Sequence, residues 1–253
     1  MSRCVLITGA TGGIGSALAE VYAQSGCTLI LQGRKADSLV ELAARCVASG
    51  ARVLTKVLDV RDRAALAAWL GEVSEQEAPD LVVVNAGVNT NIGPDGQGEQ
   101  WADVEALVEV NVLAVMATVD AVLPTMRRRG SGQIVLLSSL AAWFGLPVTP
   151  SYCASKAAVK AYGEALRGWL APEGIRVNVV MPGYVESAMC RAMPGPKPFL
   201  WTPQRAARVI RRGLAKNHAR ITFPFPLNLG TWFLAVLPAG LSERIVHWLG
   251  YRG

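Results

Sequence analysis

The sequence predicts an α/β fold in which a parallel sheet carries helices on both faces. Short runs of Val, Ile and Leu alternate along the chain with segments of helical period. The runs are continuously apolar, as in strands that are buried on both faces of a sheet. No linker, low-complexity tract or repeat divides the 253 residues. We therefore expect one doubly wound domain spanning residues 1–253.

The first half of the chain alternates most regularly. Apolar runs at 4–8, 28–31, 52–58 and 81–84 predict strands, because each is short and ends at glycine or polar residues. Helical period predicts helices at 14–24, 36–48 and 63–75 between them. Strands and helices in this order form right-handed crossovers within one sheet.

The second half continues the pattern with longer helices. Helical segments are expected at 103–129 and 152–170, and apolar runs predict strands at 133–137 and 175–180. A last strand is expected at 221–223, where an apolar C-terminal extension of the same domain, residues 221–253, begins.

Composition narrows the function classes. The chain has 25 Lys and Arg residues against 19 Asp and Glu, which gives a formal net charge of +6. Such a balance suits nucleic acid, an anionic membrane surface or an anionic ligand, but Arg is not interleaved with aromatic residues as in nucleic-acid recognition, so no nucleic-acid partner is expected. Five scattered Cys without a CxxC pair predict neither a disulfide framework nor a metal site. Together with an N-terminus that lacks the features of a signal peptide, they favour a cytoplasmic location.

The first predicted strand ends in the glycine turn Thr8-Gly9-Ala10-Thr11-Gly12-Gly13-Ile14-Gly15. A strand, a glycine turn and a helix in this order present backbone N–H groups and a helix N-terminus to a pyrophosphate, which side chains would block. The alternative is a tight turn without a ligand. The context in a first βα turn favours a Rossmann-type dinucleotide site.

Four further motifs follow in order. Asn85-Ala86-Gly87 comes after the fourth predicted strand, and Asn111 lies in the long helical region. Ser138-Ser139 ends the fifth strand, before a helix that carries Tyr152 and Lys156. The sixth strand ends in Pro182-Gly183, followed by Val185 and Ser187. Together with the Thr-Gly-x-x-x-Gly-x-Gly spacing, this set resembles the short-chain dehydrogenase/reductase family over about residues 3–190.

Tyr152 and Lys156 supply proton-transfer chemistry independently of that resemblance. Four residues apart, they share one face of a helix. A phenol has an ordinary pKa of about 10, and we expect the nearby ammonium to lower it, so that Tyr152 acts as general acid or base. Ser139 would hold the substrate oxygen by a hydrogen bond. The alternative is an aromatic residue at a helix start near an unrelated Lys.

The resemblance implies further roles. Lys156 would bond the nicotinamide ribose, Asn111 would hold a water that relays protons, and Ser139 rather than Ser138 would be the catalytic serine. Val84 stands where the family usually has a second Asn, and we expect a small loss of hydrogen bonding there. The implied cofactor-binding residues are Gly9, Thr11, Gly13, Ile14, Gly15, Arg34, Lys35, Asp59, Val60, Asn85, Ala86, Gly87, Tyr152, Lys156, Pro182, Gly183, Val185 and Ser187.

The residues that follow the second predicted strand indicate which cofactor is bound. An acidic residue after this strand would bind the ribose 2′-OH of NAD, whereas Arg suits the 2′-phosphate of NADP. The chain has Gln32-Gly33-Arg34-Lys35 there, without a carboxylate. Arg34 offers a planar fork for phosphate, with Lys35 beside it, so NADP(H) is preferred over NAD(H). The alternative is a solvated basic turn. By resemblance, Asp59 would meet the adenine amino group.

The apolar tail admits three hypotheses. Residues 221–242 carry no charge, but prolines interrupt them, and the unbroken stretch 227–237 would span only ~16 Å, which disfavours a transmembrane helix. The second hypothesis is that the segment packs on a neighbouring subunit or over the substrate pocket. The third hypothesis is a peripheral membrane contact through 224–251. Its residues would be Trp232, Phe233, Leu234, Leu237, Trp248 and Tyr251, beside the basic Arg205, Arg208, Arg211, Arg212, Lys216 and Arg220.

The leading functional hypothesis is an NADP(H)-dependent carbonyl reductase or alcohol dehydrogenase. Residues 186–200 occupy the family's substrate-loop position, and Met189, Met193, Phe199 and Leu200 favour a lipophilic small molecule. The alternatives are a catalytically silent NADP-binding regulatory or scaffold protein, and an isomerase, epimerase or dehydratase on the same fold. The resemblance also implies a homodimer or homotetramer through the long helices around Asn111 and Tyr152.

Overall fold

A seven-stranded parallel sheet forms the centre of the computed structural model, which describes residues 3–93, 96–193 and 195–250. The strand order is β3-β2-β1-β4-β5-β6-β7, which confirms the predicted doubly wound α/β fold. The strands are β1 Arg3–Ile7, β2 Cys27–Gly33, β3 Arg52–Val57, β4 Leu81–Val84, β5 Gly132–Leu137, β6 Ile175–Pro182 and β7 Arg220–Phe223.

Helices cover both faces of the sheet. Apolar side chains of α1, α2 and α8 form one core with it, and those of α3, α5 and α6 form the other. Both cores are built from the continuously apolar strands, whose residues alternate between the two faces. The helices are α1 Gly13–Tyr22, α2 Ala36–Ala48, α3 Arg63–Gln76, α4 Trp101–Val108, α5 Ala114–Arg129, α6 Pro150–Leu170, α7 Ala188–Ala192, α8 Pro203–Ala215, α9 Leu227–Val236 and α10 Ala239–Trp248.

The predicted long helix at 103–129 differs from a regular α-helix. It begins at Trp101 and contains a π-helical turn, Glu109–Leu113, between α4 and α5. Such turns insert one residue into the helix and often occur at functional sites. Here the turn contains Asn111, a residue that the sequence singles out.

The same helical run, Trp101–Arg129, is apolar and long enough to cross a membrane by length and composition. Half of its most apolar window is buried inside the protein, where α5 packs on the sheet and on α3. This burial identifies the run as a core helix. The apolar helix of the tail, α9, has only 10 residues.

The fold places the functional motifs at one edge of the sheet. All strands are parallel, so their carboxyl ends, which carry the glycine turn, Asn85, Ser139 and Gly183, lie at the same edge. The chain order reverses between β1 and β4, and ligands bind in the crevice at such a switch point.

Candidate active site

A cavity of about 790 Å³ lies at the carboxyl edge of the sheet. It brings together residues from the whole length of the chain, from the glycine turn to α10. Most of the residues predicted from the sequence line it, namely Gly9, Thr11, Gly13, Ile14, Arg34, Lys35, Asp59, Val60, Asn85, Ala86, Gly87, Ser139, Tyr152, Lys156, Pro182, Gly183, Val185 and Ser187.

The glycine turn packs directly on the loop after β4. Gly9 has a φ of +62°, and a Cβ there would lie 2.7 Å from the Ala86 Cα. The Thr8 hydroxyl accepts hydrogen bonds from the backbone N–H groups of Asn85 and Ala86, at 3.1 and 3.2 Å. The Asn85 amide donates in return to the carbonyls of Thr8 and Gly9, at 3.1 and 2.9 Å. Only glycine at position 9 permits both the conformation and the close approach.

Gly15, which the sequence predicts to bind the cofactor, lies outside the cavity wall. It is not among the residues that line the cavity. A Cβ at this position would lie 2.5 Å from the Gly9 carbonyl oxygen and 2.8 Å from the Asn85 Nδ2. Gly15 therefore lies behind the turn, where it lets α1 pack tightly against it, and its predicted contact with the cofactor stays a prediction.

Gln32 is a functional residue that the sequence reasoning missed. Its side chain is buried, accepts a hydrogen bond from the Gly9 N–H at 3.0 Å, and donates to the Leu58 carbonyl at 2.6 Å. One amide thus joins the glycine turn to the end of β3. A polar residue at the end of an apolar strand is the only signal in the sequence, and it does not reveal the partners.

The end of β2 presents positive charge to the cavity. Arg34 and Lys35 are exposed and line it. Asp59 also lines the cavity, but its carboxylate is held by Arg61, with an ion pair at 2.7 Å. The Arg61 hydrogen bond, and to a lesser degree the charge of Arg34, hold the pKa of Asp59 below its usual value.

Ser139, Tyr152 and Lys156 converge on the same cavity. Tyr152 and Lys156 lie on the first turns of α6, and Ser139 directly follows β5. The Ser139 hydroxyl lies close enough to Tyr152 to act on the pKa of its phenol, and it accepts a hydrogen bond from the Ala141 N–H at 3.1 Å. The Ser138 hydroxyl instead donates to the Lys156 carbonyl at 2.7 Å. The two serines therefore differ, since Ser139 reaches the phenol and Ser138 anchors the helix.

Burial dominates the electrostatics of this cluster. It raises the pKa of Tyr152 to about 12, against a smaller lowering by the Ser139 hydrogen bond, and it lowers the pKa of Lys156 to about 8. The phenol pKa is thus raised rather than lowered as the sequence predicts, because burial outweighs the lowering that a nearby cation causes. The Lys156 ammonium donates to the Leu137 carbonyl at 2.9 Å and lies 5.6 Å from the centre of the Tyr152 ring.

Asn111 is fully buried and lies behind the cavity wall. Its amide donates to the Val88 carbonyl at 2.9 Å and to the Ser155 hydroxyl at 3.1 Å, and its oxygen accepts from the Val88 N–H at 2.9 Å. Both amide hydrogens are therefore bound to protein groups. In this structure the side chain fixes the loop after β4 to α6, which carries Tyr152.

The rest of the wall is apolar and comes largely from the C-terminal half. Met189 and Met193 of the substrate-loop segment line the cavity, whereas Phe199 and Leu200 do not and are exposed. The apolar tail covers this part of the cavity. Contact with the pocket, which is one of the packing arrangements proposed for the tail, is therefore present in the structure. The contributing residues are Leu227, Gly230, Thr231, Phe233 and Leu234, with Ile245, Val246 and Leu249.

The residues of the glycine end fit a dinucleotide phosphate. The N-cap of α1 is Gly12, and no side chain of the described residues caps this helix, so its first N–H groups are open to a ligand. Gly33, packed against Thr11, brings the end of β2 beside the turn. Nearby Arg34 and Lys35 supply cations for a further phosphate.

The short-chain dehydrogenase family profile matches residues 3–195. This chain belongs to that family. The resemblance read from the motifs is thus confirmed, and the protein is a short-chain dehydrogenase/reductase-type oxidoreductase.

Several known family members are similar over most of their length. An uncharacterised oxidoreductase of Mycobacterium tuberculosis is 38% identical over 95% of this chain and 96% of its own. Sulfoacetaldehyde reductase 2 of Chromohalobacter salexigens is 39% identical over 74% of each chain. The structure of a Sphingobium yanoikuyae short-chain dehydrogenase in complex with NADPH superposes with a TM-score of 0.80, at 26% identity, covering 99% of this chain and 96% of that one.

Proposed function

We propose that this short-chain dehydrogenase uses NADP(H) to reduce a carbonyl, or to oxidise an alcohol, on a lipophilic small molecule, with Tyr152 as general acid and base. The observation that carries the proposal is the convergence of Ser139, Tyr152 and Lys156 on one largely apolar cavity that also includes the glycine turn. Reduction of a carbonyl is also the activity named for the Chromohalobacter relative.

The chain's own residues would handle the proton and the substrate oxygen. Ser139 would donate a hydrogen bond to the carbonyl oxygen, and Tyr152 would transfer its phenolic proton to that oxygen. The raised pKa of Tyr152, about 12, keeps the phenol protonated at neutral pH, as the acid role in reduction requires. The Lys156 ammonium would stabilise the phenolate left behind, until solvent returns the proton. The nicotinamide, when bound, supplies the hydride.

The apolar wall supports a lipophilic substrate. Met189, Met193, Phe144 and Leu146 line the cavity beside the tail residues. Burial of apolar surface contributes about 25 cal/mol per Å², so a long-chain or aromatic carbonyl compound gains affinity that a small polar one does not. Flexible Met side chains adapt to different ligand shapes.

The cations after β2 support NADP(H). Arg34 and Lys35 line the cavity and are exposed, so they can meet a phosphate there. The Sphingobium structure, which superposes over nearly the whole chain, contains NADPH.

We also propose a homodimer or homotetramer in the cytoplasm. Trp101, Val108 and Leu113 of the long helical run are exposed, as is Trp169 of α6. Large exposed apolar side chains on these helices favour burial against a second copy. Light scattering of the purified protein would test this, and a monomer at micromolar concentration would contradict it.

Steady-state NADPH consumption tests the activity. The substrates would be ketones and aldehydes graded from small and polar to long-chain, and turnover should rise with hydrophobicity. Tyr152→Phe should lower kcat by about 100- to 10,000-fold, the usual contribution of general acid–base catalysis. Tyr162→Phe is the matched control, since Tyr162 lies on the same helix outside the cavity.

Two results would contradict the proposal. Equal turnover in Tyr152→Phe and in the control would exclude Tyr152 as the proton donor. Tight NADPH binding without turnover on any substrate would favour the alternative, a catalytically silent NADP-binding protein.

A further inference from the structure

Helix α9 carries an exposed apolar face opposite the face that lines the cavity. Four residues at helical spacing form the inner face, which lines the cavity, namely Leu227, Gly230, Thr231 and Leu234. A second set at the same i, i+3, i+4, i+7 spacing forms the outer face, namely Leu229, Trp232, Phe233 and Val236. The outer residues are 54, 43, 53 and 58% exposed. A stripe of large apolar side chains on a helix is normally buried, and here the outer stripe is in contact with water.

Further large apolar side chains are exposed in the segments that flank this helix. No charged residue occurs between Ile221 and Ser242, and Trp248 at the end of α10 is 81% exposed. Large exposed apolar side chains concentrated in one segment mark an interaction surface. We call this set the apolar tail surface: Phe225, Leu229, Trp232, Phe233, Val236, Leu241, Trp248 and Leu249.

The length of the elements excludes a span. Ten residues of α9 extend over about 15 Å, half of the ~30 Å of hydrocarbon in a bilayer. An apolar helix of this length can lie in the plane of a membrane surface, with its outer face about 5–10 Å deep.

We propose that the apolar tail surface docks on an anionic lipid membrane, and that a lipophilic substrate enters the cavity directly from the bilayer. Phe233 and Leu249 support the second step, because each lines the cavity and is about half exposed, at 53 and 49%. They therefore form its rim, and the rim belongs to the apolar tail surface. Trp232 and Trp248 have the amphipathic rings that favour the membrane–water interface.

Charge favours an anionic surface. The chain has a formal net charge of +6, which attracts it to negatively charged lipids. The basic cluster read from the sequence is partly bound within the protein, since Arg205 stacks on Trp201 and Arg220 pairs with Glu164. The attraction is thus assigned to the net charge rather than to that cluster alone.

A second copy of the chain fits this surface less well. A protein partner covering Phe233 and Leu249 would close the rim of the cavity. A lipid surface would instead leave the cavity open to an apolar phase in which the substrate is concentrated. The entry step rests on the reductase activity proposed above, whereas the docking step does not.

Vesicle flotation with purified full-length protein tests the docking without any substrate. The vesicles would contain phosphatidylcholine with phosphatidylglycerol, or phosphatidylcholine alone. The double variant Leu229→Glu/Val236→Glu changes two exposed residues seven apart on α9 that do not line the cavity. The matched control is Val40→Glu/Val47→Glu, two exposed residues seven apart on α2.

Wild type and control should float with the anionic vesicles, and wild type should bind neutral ones at least about tenfold more weakly. The α9 variant should lose at least about tenfold in partition coefficient. It should still turn over a short soluble ketone at the wild-type rate but lose its advantage on membrane-dissolved substrates. Trp232→Ala, a milder exposed change, should weaken flotation in the same direction if the double variant does not fold.

Failure to float, or equal flotation of wild type and both α9 variants, would overturn the docking proposal whatever the enzyme's activity. A fall in molar mass from dimer to monomer in the α9 variant, without flotation of wild type, would assign the surface to a second copy. Normal flotation without any reductase turnover would leave docking standing and reject substrate entry.

Discussion

Gln32→Leu is expected to destabilise the protein and to weaken NADPH binding. The substitution keeps the side chain's approximate volume but removes two hydrogen bonds, from the Gly9 N–H at 3.0 Å and to the Leu58 carbonyl at 2.6 Å. A buried polar group left without a partner costs about 1–3 kcal/mol. Both backbone groups are half-buried, so we expect a total loss of about 2–4 kcal/mol in the free energy of unfolding.

The functional effect should exceed a general loss of stability. Gly9 belongs to the turn proposed to hold the pyrophosphate, and its conformation at a φ of +62° depends on its contacts. A turn that is no longer held in place must be ordered on binding, and we expect about a tenfold lower NADPH affinity, equivalent to about 1.4 kcal/mol.

Urea unfolding followed by circular dichroism measures the stability, and isothermal titration calorimetry with NADPH measures the affinity. Gln97→Leu is the control, because it makes the same chemical change at an exposed position. If Gln32→Leu has the urea midpoint and NADPH affinity of the control, the Gln32 amide does not hold the glycine turn and the reasoning is refuted.

Three further predictions concern the same cavity. Gly15→Ala should lower the free energy of unfolding by about 1–3 kcal/mol and weaken NADPH binding, because its Cβ would lie 2.5 Å from a carbonyl oxygen of the turn. Gly12→Ala, with its nearest contact at 3.4 Å, is the control for stability alone, since Gly12 lines the cavity, and equal melting temperatures of the two variants would contradict the prediction. Arg34→Glu should shift the ratio of kcat/KM for NADPH over NADH by at least about tenfold toward NADH, and an unchanged ratio would show that another group selects the cofactor. Ketone reduction should decline above about pH 8, where Lys156 loses its proton, while Tyr152, with a pKa of about 12, stays protonated. Lys156→Arg should move that decline to higher pH in the residual activity, and a wild-type profile flat above pH 8 would disagree.

The fold was accessible from the sequence because its signals are local. Continuously apolar strands, helical periods between them and a glycine turn after the first strand each follow from backbone geometry. Val84 illustrates the limit of motif comparison. It stands where the family usually has an Asn, and the structure buries it among apolar residues of the core beneath α3 and α5.

Much of the site depends on contacts between distant residues, which no local pattern contains. The partners of Gln32 lie 23 and 26 residues away, and those of Asn111 lie 23 and 44 residues away. Burial, which sets the pKa of Tyr152, depends on everything that covers the cavity, including the tail. The spacing of Tyr152 and Lys156 shows that they share a helix face, but it does not show that the ammonium turns toward Leu137.

The role of the apolar tail could not be predicted from the sequence for a related reason. An uncharged apolar segment is equally compatible with a pocket lid, a subunit contact and a membrane contact, because all three bury apolar side chains. Only the position of α9 against the cavity shows that its inner face covers the pocket.

The two faces of α9 also bear on how such a protein can diversify. Residues 227, 230, 231 and 234 line the cavity, and residues 229, 232 and 236 face outward without lining it. Substitutions at the first set can change what the cavity accepts while leaving the outer surface unaltered, and the second set can vary while the cavity keeps its shape. Phe233 lines the cavity and also belongs to the exposed outer face. Selection on ligand preference and selection on surface association can therefore act separately along one short helix, and they compete at a single side chain.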